Sequence, residues 1–311
     1  MDQETTVELD KAQNILFEVL GELPQLIKPG IKTVDIAEKI ESRITELGAT
    51  WAFPVNIAIG SFAAHYTPLA DEKTSIPEDE IIKIDIGVSV EGYILDKAVS
   101  YYFGEDDEKK ALIETANEAL DLALKHIKAG IPIADISGIV YDFVKSRGFK
   151  IVSNLHGHKI ERWKLHADKD VPFDPTLDVE GIFEEGEIYA IEIFVSNGEG
   201  FAYTSDDVRI YALPSVFAEI SGRFRLPIHL RAAREIFFWI LRNRKTLPVS
   251  IRHLTKTFDY ATVRIGLSVL DQKGLIVKYP VLRERKGSVA QAEDTVIIKK
   301  EGVEVLTRKT S

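Results

Sequence analysis

The sequence predicts an α+β fold made of two similar halves, with a basic helical segment inserted into the second half. Amphipathic helices alternate with apolar runs of strand length, which is typical of a mixed fold. A block of residues recurs one hundred positions further along the chain. The net charge is −10, yet residues 219–286 contain 15 Lys and Arg against 5 Asp and Glu. An asymmetry of this size indicates a subdomain with a surface role of its own.

The composition restricts the possible chemistry. The chain has 311 residues, 45% of them hydrophobic, so it can bury a sizeable core. It contains no cysteine, which excludes disulfides and thiolate metal sites and leaves Asp, Glu and His as metal ligands. No apolar run is long enough to span a membrane, and the acidic N-terminus does not resemble a signal peptide. We therefore expect a soluble, cytoplasmic protein with no membrane partner.

The first half begins with two amphipathic helices. We take Thr33 as the N-cap of the second helix and Gly48 as the residue that ends it. After a strand and a loop, an alternating apolar run on either side of Glu91-Gly92 predicts a β-hairpin. The expected elements are helix, helix, strand, loop and hairpin, over residues 7–28, 34–47, 51–60, 61–67 and 81–96.

The second half repeats this order. Helices are expected over residues 106–128 and 132–147, and the stretch 126–136 matches 26–36 at several positions. Further along, the strand around Glu192 matches the strand around Asp85. Two like halves usually face each other across a pseudo-twofold axis, so we expect these two carboxylates to meet in the centre of the molecule.

The basic segment interrupts the second half. Three helices over residues 230–241, 249–257 and 261–272 precede a short strand over 275–279, in the order of a winged-helix module. A strand over 289–298 and a final hairpin then complete the second half. We predict a catalytic domain formed by residues 1–208 and 287–311, and an inserted subdomain formed by 209–286.

Four carboxylates stand in otherwise apolar strands: Asp85, Asp96, Glu192 and Glu293. For either Asp alone, hydrogen bonds to backbone amides at a strand end are the simpler explanation. Four carboxylates that converge would repel one another, and two divalent ions sharing bridging carboxylates would remove that repulsion. Such ions lower the pKa of a bridging water and polarise a carbonyl, which is the chemistry of amide hydrolysis. The candidate imidazole ligands nearby are His156, His158 and His166.

Five segments carry a family resemblance. They are Ala63-Ala64-His65-Tyr66-Thr67-Pro68, Lys83-Ile84-Asp85-Ile86-Gly87, Asn154-Leu155-His156-Gly157-His158, Tyr189-Ala190-Ile191-Glu192 and Ala290-Gln291-Ala292-Glu293. In this order and spacing they resemble the type 2 methionine aminopeptidases in their archaeal form. The resemblance covers essentially the whole chain, including the helical insertion. It implies the pita-bread (creatinase/aminopeptidase) fold, whose pseudo-twofold halves agree with the internal repeat.

The resemblance also implies a role for each site residue. Asp85 would bind one metal ion, Asp96 and Glu293 would bridge two, and His158 and Glu192 would bind the other. Glu192 would also accept the proton of the attacking water. His65 would contact the scissile amide or the next residue, and His166 would stabilise the oxyanion. The methionine pocket would be lined by residues that could equally be ordinary core side chains, namely Phe53, Leu165, Phe194 and Tyr279.

The implied activity is removal of the initiator methionine from nascent polypeptides when the second residue is small. It would require two divalent ions, drawn from Co, Mn, Fe, Zn and Ni. Two alternatives are a prolidase or aminopeptidase P of the same fold, and a non-catalytic ribosome-binding protein. The complete ligand set argues against the latter. The resemblance further implies a monomer with at most a transient ribosome contact.

Apart from His156, the chain departs from the family pattern at two places. Asp294 stands where the family commonly has His, and residues 159–163 are larger than usual, so metal affinity and the pocket rim could differ. His156 is also unusual at its position, and we interpret it as a neighbour of the site and not as a ligand. The basic segment could contact RNA, but we favour a solvated surface that forms one wall of the pocket.

Overall fold

The computed structural model describes residues 3–218 and 228–309. Its first half consists of two helices and five strands. These are α1 (Gln3–Leu26), α2 (Thr33–Glu46), β1 (Thr50–Trp51), β2 (Asn56–Ile59), β3 (Phe62–Ala64), β4 (Ile82–Val90) and β5 (Tyr93–Tyr101).

The second half has the same plan. It consists of α3 (Asp107–His126), α4 (Ile133–Ser146), β6 (Lys150–Ile151), β7 (Gly157–Ile160), β8 (Asp170–Val171), β9 (Ile188–Ser196) and β10 (Tyr203–Ala212). After a short 3₁₀ turn come α5 (Arg231–Arg244), β11 (Val249–Ser250), α6 (Ile251–Leu254), α7 (Tyr260–Gln272), β12 (Val277–Arg283), β13 (Val289–Lys299) and β14 (Gly302–Val305).

The internal repeat is visible element by element. Helices α2 and α4 both have 14 residues, and each is followed by a glycine at positive φ, +89° at Gly48 and +84° at Gly148. Strand β1 pairs with the end of β4, and β6 pairs with the same end of β9, opposite Ser89 and Ser196 respectively. The two halves therefore present β4 and β9 in equivalent places.

Each half packs its helices on one face of its own sheet. Strand β13 lies between β9 and β14, and the β4–β5 hairpin is extended by β1 and β2. In the first half Leu16 and Ile40 bury their side chains in the same core cluster as Ile84, and in the second Val140 belongs to the core cluster of Ile191. Full burial of such a side chain contributes about 1.5–3 kcal/mol. The opposite faces of β4, β5, β9 and β13 carry the four carboxylates.

Some local predictions were wrong. Thr33 is not the N-cap of α2 but its first residue, and its hydroxyl donates to Thr74 O while Lys32 takes the cap position. The strand expected over 51–60 is divided into β1 and β2, since Pro54 cannot donate to a ladder. The loop expected over 61–67 contains β3. The second inserted helix is reduced to the single turn α6.

Side chains that are buried anchor the inserted segment to the first half. The Glu41 carboxylate of α2 accepts two hydrogen bonds of 2.8 Å from Arg252, and His253 Nε2 lies 2.9 Å from it. Arg244 stacks on Trp51 with 3.4 Å between guanidinium and ring centroid. These contacts fix the inserted helices against α2 and the residues that follow it.

The inserted helices project from a β-hairpin. Ala212 of β10 pairs with Val277 of β12, and β12 continues to pair with β3. The domain boundaries at 209 and 286 stay a prediction. Among the described residues, no helix is both long enough and apolar enough to cross a membrane.

Candidate metal centre and active-site cleft

The strand registers bring the four carboxylates together. Within the hairpin, Asp96 lies opposite Gly87, two positions from Asp85, so the two side chains emerge diagonally from the same face. In the second half, Glu192 lies directly opposite Glu293. All four line one cavity of about 240 Å³, as the repeat predicts for Asp85 and Glu192.

His158 projects into the same cavity from β7. It pairs with Ala190, which lies two positions before Glu192 and therefore on the same face of the sheet. Its Nε2 lies 3.7 Å from Asp96 Oδ2 and 3.8 Å from Glu192 Oε1. One ligand atom each of Asp96, His158 and Glu293 lies within 4.8 Å of the others.

The pKa shifts of the four carboxylates and His158 are those expected of a cation-binding site. Burial raises the pKa of Asp85 to about 7. Burial and the repulsion of the neighbouring carboxylates raise the pKa of Asp96, Glu192 and Glu293 well above the usual values. Burial also lowers the pKa of His158 to about 4, so its ring is neutral at pH 7 and has a lone pair to donate.

These residues fit a divalent metal. One oxygen each of Asp85 and Asp96 is buried without a hydrogen-bond partner. Unpaired buried carboxylate oxygens are costly, and a bound cation compensates for them. Carboxylate oxygens with one imidazole suit hard and borderline ions such as Mn, Fe, Co and Zn. The orphaned oxygens are the observation in the structure that supports metal binding.

An apolar recess lies beside the carboxylates. Its lining includes Phe53, Leu165, Phe194 and Tyr279. That these four residues bind a methionine side chain stays a prediction. Phe53 packs so closely on Gly87 that a Cβ added to the glycine would lie 2.4 Å from the ring. A side chain at this position of β4 would displace Phe53, so the glycine maintains the shape of the recess.

Two further histidines stand at the outer end of the cavity. His65 has a φ of +62°, a strained conformation for a residue with a side chain, and its Nδ1 lies 3.0 Å from Pro280 O. His166 lies with its ring centroid 4.3 Å from that of His158. Burial lowers the pKa of both His65 and His166. His156 also lines the cavity, and its Nε2 is 3.1 Å from Ser153 O.

Gln291 is a site residue that the sequence pattern did not reveal. Its Nε2 lies 3.3 Å from Glu192 Oε2 and 3.5 Å from Glu293 Oε2. The available signal was its polarity in an apolar strand two positions before Glu293, which places both on one face. Asn154 also lines the cavity and exchanges hydrogen bonds with Ala202, which orients the loop before His158.

The two departures from the family pattern lie around the site. Asp294 points to the opposite face of β13 from Glu293, and Lys97 and Arg308 contact it there. Trp163 packs against Gly92 in the β4–β5 turn, with Lys245 Nζ 3.7 Å from its ring centroid. The larger side chains of residues 159–163 thus build a rim that joins the hairpin to the inserted segment.

Comparisons with known proteins agree with this geometry. The model of metallopeptidase family M24 matches residues 8–225. The methionine aminopeptidase of Thermococcus kodakarensis is 39% identical over 300 residues, which covers 96% of this chain and 98% of the relative. A thermophilic Arx1 has a TM-score of 0.83 at 19% identity, covering 100% of this chain and 92% of that one. The methionine aminopeptidase of Thermotoga maritima has a TM-score of 0.69 at 21% identity, covering 99% and 98%. At these identities the two solved structures show likeness of fold alone.

Proposed function

The chain belongs to metallopeptidase family M24, and on that premise we propose that it removes the N-terminal methionine of proteins whose second residue is small. The observation that carries this proposal is the match, over nearly the whole chain, to archaeal methionine aminopeptidases. The predicted pita-bread fold is confirmed by the family and by the solved structures. The enzyme is a metallopeptidase and requires a divalent metal.

We propose that two divalent ions would be held here, one by Asp85 and the other by His158 and Glu192, with Asp96 and Glu293 contributing to both. The supporting observations are the four strand carboxylates on one cavity and the orphaned oxygens of both aspartates. Divalent ions at such a site act as Lewis acids that polarise the substrate carbonyl and lower the pKa of water.

The residues of the chain would bind the substrate and transfer its protons. Glu192 lines the cavity beside the proposed metal ions and is suited to accept the proton of the attacking water and to deliver it to the leaving amine. His65 donates its Nδ1–H to the Pro280 carbonyl, so in the neutral ring Nε2 is left as an acceptor for a peptide N–H of the substrate. The neutral ring of His166 can donate a hydrogen bond to the carbonyl oxygen as negative charge develops there.

The apolar recess supports methionine as the residue removed. Phe53 and Phe194 are almost fully buried, so they form a rigid wall. An unbranched thioether fits such a recess and gains sulfur–aromatic contacts of about 0.3–1.5 kcal/mol. The four recess residues are therefore proposed as the binding site for the methionine side chain.

Hydrolysis of Met-Ala-Ser tests the proposal. Metal-free protein should release no methionine, and Mn or Co added singly should restore release. Glu192→Gln should remain folded and lose activity by about 10²–10⁴-fold. An X-Pro dipeptide is the comparison substrate, because its cleavage in preference to Met-Ala-Ser would favour the prolidase alternative. If neither substrate were cleaved at any metal concentration, only the non-catalytic alternative would remain.

We further propose that the substrates are nascent polypeptides in the cytoplasm, that the enzyme acts as a monomer, and that its contact with ribosomes is transient at most. The surface proposed for ribosome contact is an exposed basic face of α5, formed by Arg231, Arg234 and Arg242. Arg244 does not belong to this face, since it is buried and donates to Trp51 O and Ala52 O. Charge reversal to test RNA contact therefore belongs at the three exposed arginines.

A further inference from the structure

The two halves meet at the strands that carry the shared carboxylates, β5 with Asp96 and β13 with Glu293. These strands belong to different sheets, and no backbone ladder joins them in the part of the chain that the structure describes. Side chains make the connection instead. The Thr295 hydroxyl lies 2.7 Å from Asp96 N and 2.8 Å from Asp96 O, so it bonds the backbone of the ligand residue itself. The spacing of the two carboxylates therefore depends on side chains.

An ion pair crosses the same junction directly behind the site. Lys97 follows Asp96 and Asp294 follows Glu293, so both point to the face opposite the carboxylates. Lys97 Nζ lies 2.6 Å from Asp294 Oδ1. The Asp294 side chain is fully buried, and that of Lys97 is 13% exposed. A pair so little exposed to water holds its geometry far better than a surface ion pair does.

The Asp294 carboxylate also accepts hydrogen bonds from two further side chains. Thr307 Oγ1 donates to its Oδ1 at 2.7 Å, and Arg308 Nε lies 2.5 Å from its Oδ2. Arg308 in turn contacts Asp121 of α3 at 2.6 Å. Two cations and two anions thus form a neutral cluster. Lys97 and Asp294 act on Glu293 with opposite electrostatic sign, so the added negative charge of Asp294 is offset at the site.

We propose that the Lys97–Asp294–Arg308 cluster is a positioning device that holds Asp96 and Glu293 at the spacing needed to share two metal ions. This inference rests on the proposed function, because it assigns the cluster to the shared metal site. The three residues touch neither substrate nor metal. They act through the two strands whose separation they determine. Substitution of a residue that orients metal ligands in this way typically lowers metal affinity by about 10- to 100-fold.

Calorimetric titration of metal-free protein with Mn²⁺ tests the inference. Wild type should bind two ions. Asp294→Asn and Lys97→Gln should each weaken binding of the weaker ion by about 10- to 100-fold. The double variant should be no worse than the more severe single variant, since the two side chains act as one unit. Lys97→Gln alters a side chain that reaches water, so it carries the test if Asp294→Asn does not fold.

Lys299→Met is the matched control. It removes a second ion pair of β13, Lys299–Glu304 at 2.6 Å, which lies on the β14 side and away from the cavity. Its metal binding should equal that of wild type. If Asp294→Asn and Lys97→Gln lower the thermal unfolding midpoint but leave both metal affinities unchanged, the cluster is a stability element only and the inference is overturned. Binding of a single ion by wild type would instead contradict the two-metal proposal, and the inference with it.

Discussion

Three imidazoles at the cleft have lowered pKa values but different surroundings. His158 lies among carboxylates, His65 Nδ1 lies against Pro280 O, and the ring of His166 lies between those of His158 and Tyr279, tilted to both. Because burial keeps all three rings neutral at pH 7, each can use a nitrogen lone pair or an N–H without first losing a proton. The role of each ring therefore follows from its contacts.

His166→Ala should lower kcat on Met-Ala-Ser by about 10²–10³-fold, the cost of removing one oxyanion donor, with little change in KM. Its metal content should stay the same, because His166 is not among the proposed ligands. His156→Ala is the control: it removes a ring from the same cavity, and kcat should stay near the wild-type value. Loss of bound metal in His166→Ala would show instead that His166 is a metal ligand.

Sequence pattern reaches the four proposed carboxylate ligands because each one breaks a local rule, but it leaves three histidines as candidates and only the family resemblance selects His158. A carboxylate in an apolar strand is conspicuous, and the internal repeat relates Asp85 to Glu192 through sequence similarity. Gln291 was missed because an uncharged amide in a strand is less conspicuous than a charge. The burial of Arg244 was equally hidden, since its partners Trp51 and Ala52 are almost two hundred residues away.

At the scale of elements, long-range pairing explains most of the differences from prediction. Strand β3 has only three residues, without apolar alternation, and exists because β12 pairs with it from more than two hundred residues away. The segment 249–257 has helical spacing, yet Val249 and Ser250 pair with β10 and leave one helical turn. Helices with a clear apolar face, such as α2 and α4, were located to within a residue or two.

The buried contact between α2 and α6 should make the stability of the fold depend on pH in the acid range. Burial alone would raise the pKa of Glu41, but His253 and Arg252 outweigh it and hold this pKa at about 2, below the usual 4.5. The ionised carboxylate thus stabilises the fold above pH 4.5, and this contribution is lost as the pH falls from 4.5 towards 2. Glu41→Gln should cost on the order of 3 kcal/mol of unfolding free energy at pH 7 and clearly less at pH 3.

Urea unfolding of both proteins at the two pH values provides the measurement. Glu38→Gln is the matched control on the same helix. Glu38 pairs with Lys256 at 2.8 Å and lies 3.7 Å from Arg252, but its side chain is 41% exposed, so its loss should cost less than about 1 kcal/mol. A Glu41→Gln cost that did not change between pH 7 and pH 3 would contradict the assignment.

At the scale of the whole molecule, every proposed metal ligand comes from the two repeated halves. The inserted segment contributes walls through residues between its helices and strands: Pro248 lines the inner cavity, and Leu213 and Thr246 line an adjoining outer one of about 400 Å³. The metal site and the substrate wall are thus separable parts, although Arg252 and His253 fix their relative position.

Replacing residues 213–276 with Asn-Gly should separate these parts experimentally. Ala212 and Val277 are already paired, so a two-residue turn can close the hairpin. The variant should bind metal with the stoichiometry of wild type, while KM for Met-Ala-Ser rises at least about tenfold, equivalent to about 1.4 kcal/mol of lost contacts. Calorimetry and steady-state kinetics would check both points. A folded variant that had lost metal binding would show that the inserted helices support the ligands.

The position of β13 in the chain has a consequence for biosynthesis. This strand lies inside its sheet, between β9 and β14, and carries Glu293, yet it is translated after the other four proposed ligands. Domains generally fold as units, so the earlier strands must wait for β13 to be synthesised. Meanwhile the buried Nζ of Lys83 lacks one of its two carbonyl acceptors, Val289 O. Proteolytic competence is therefore acquired late in translation, and a chain interrupted before β13 would remain an inactive fragment.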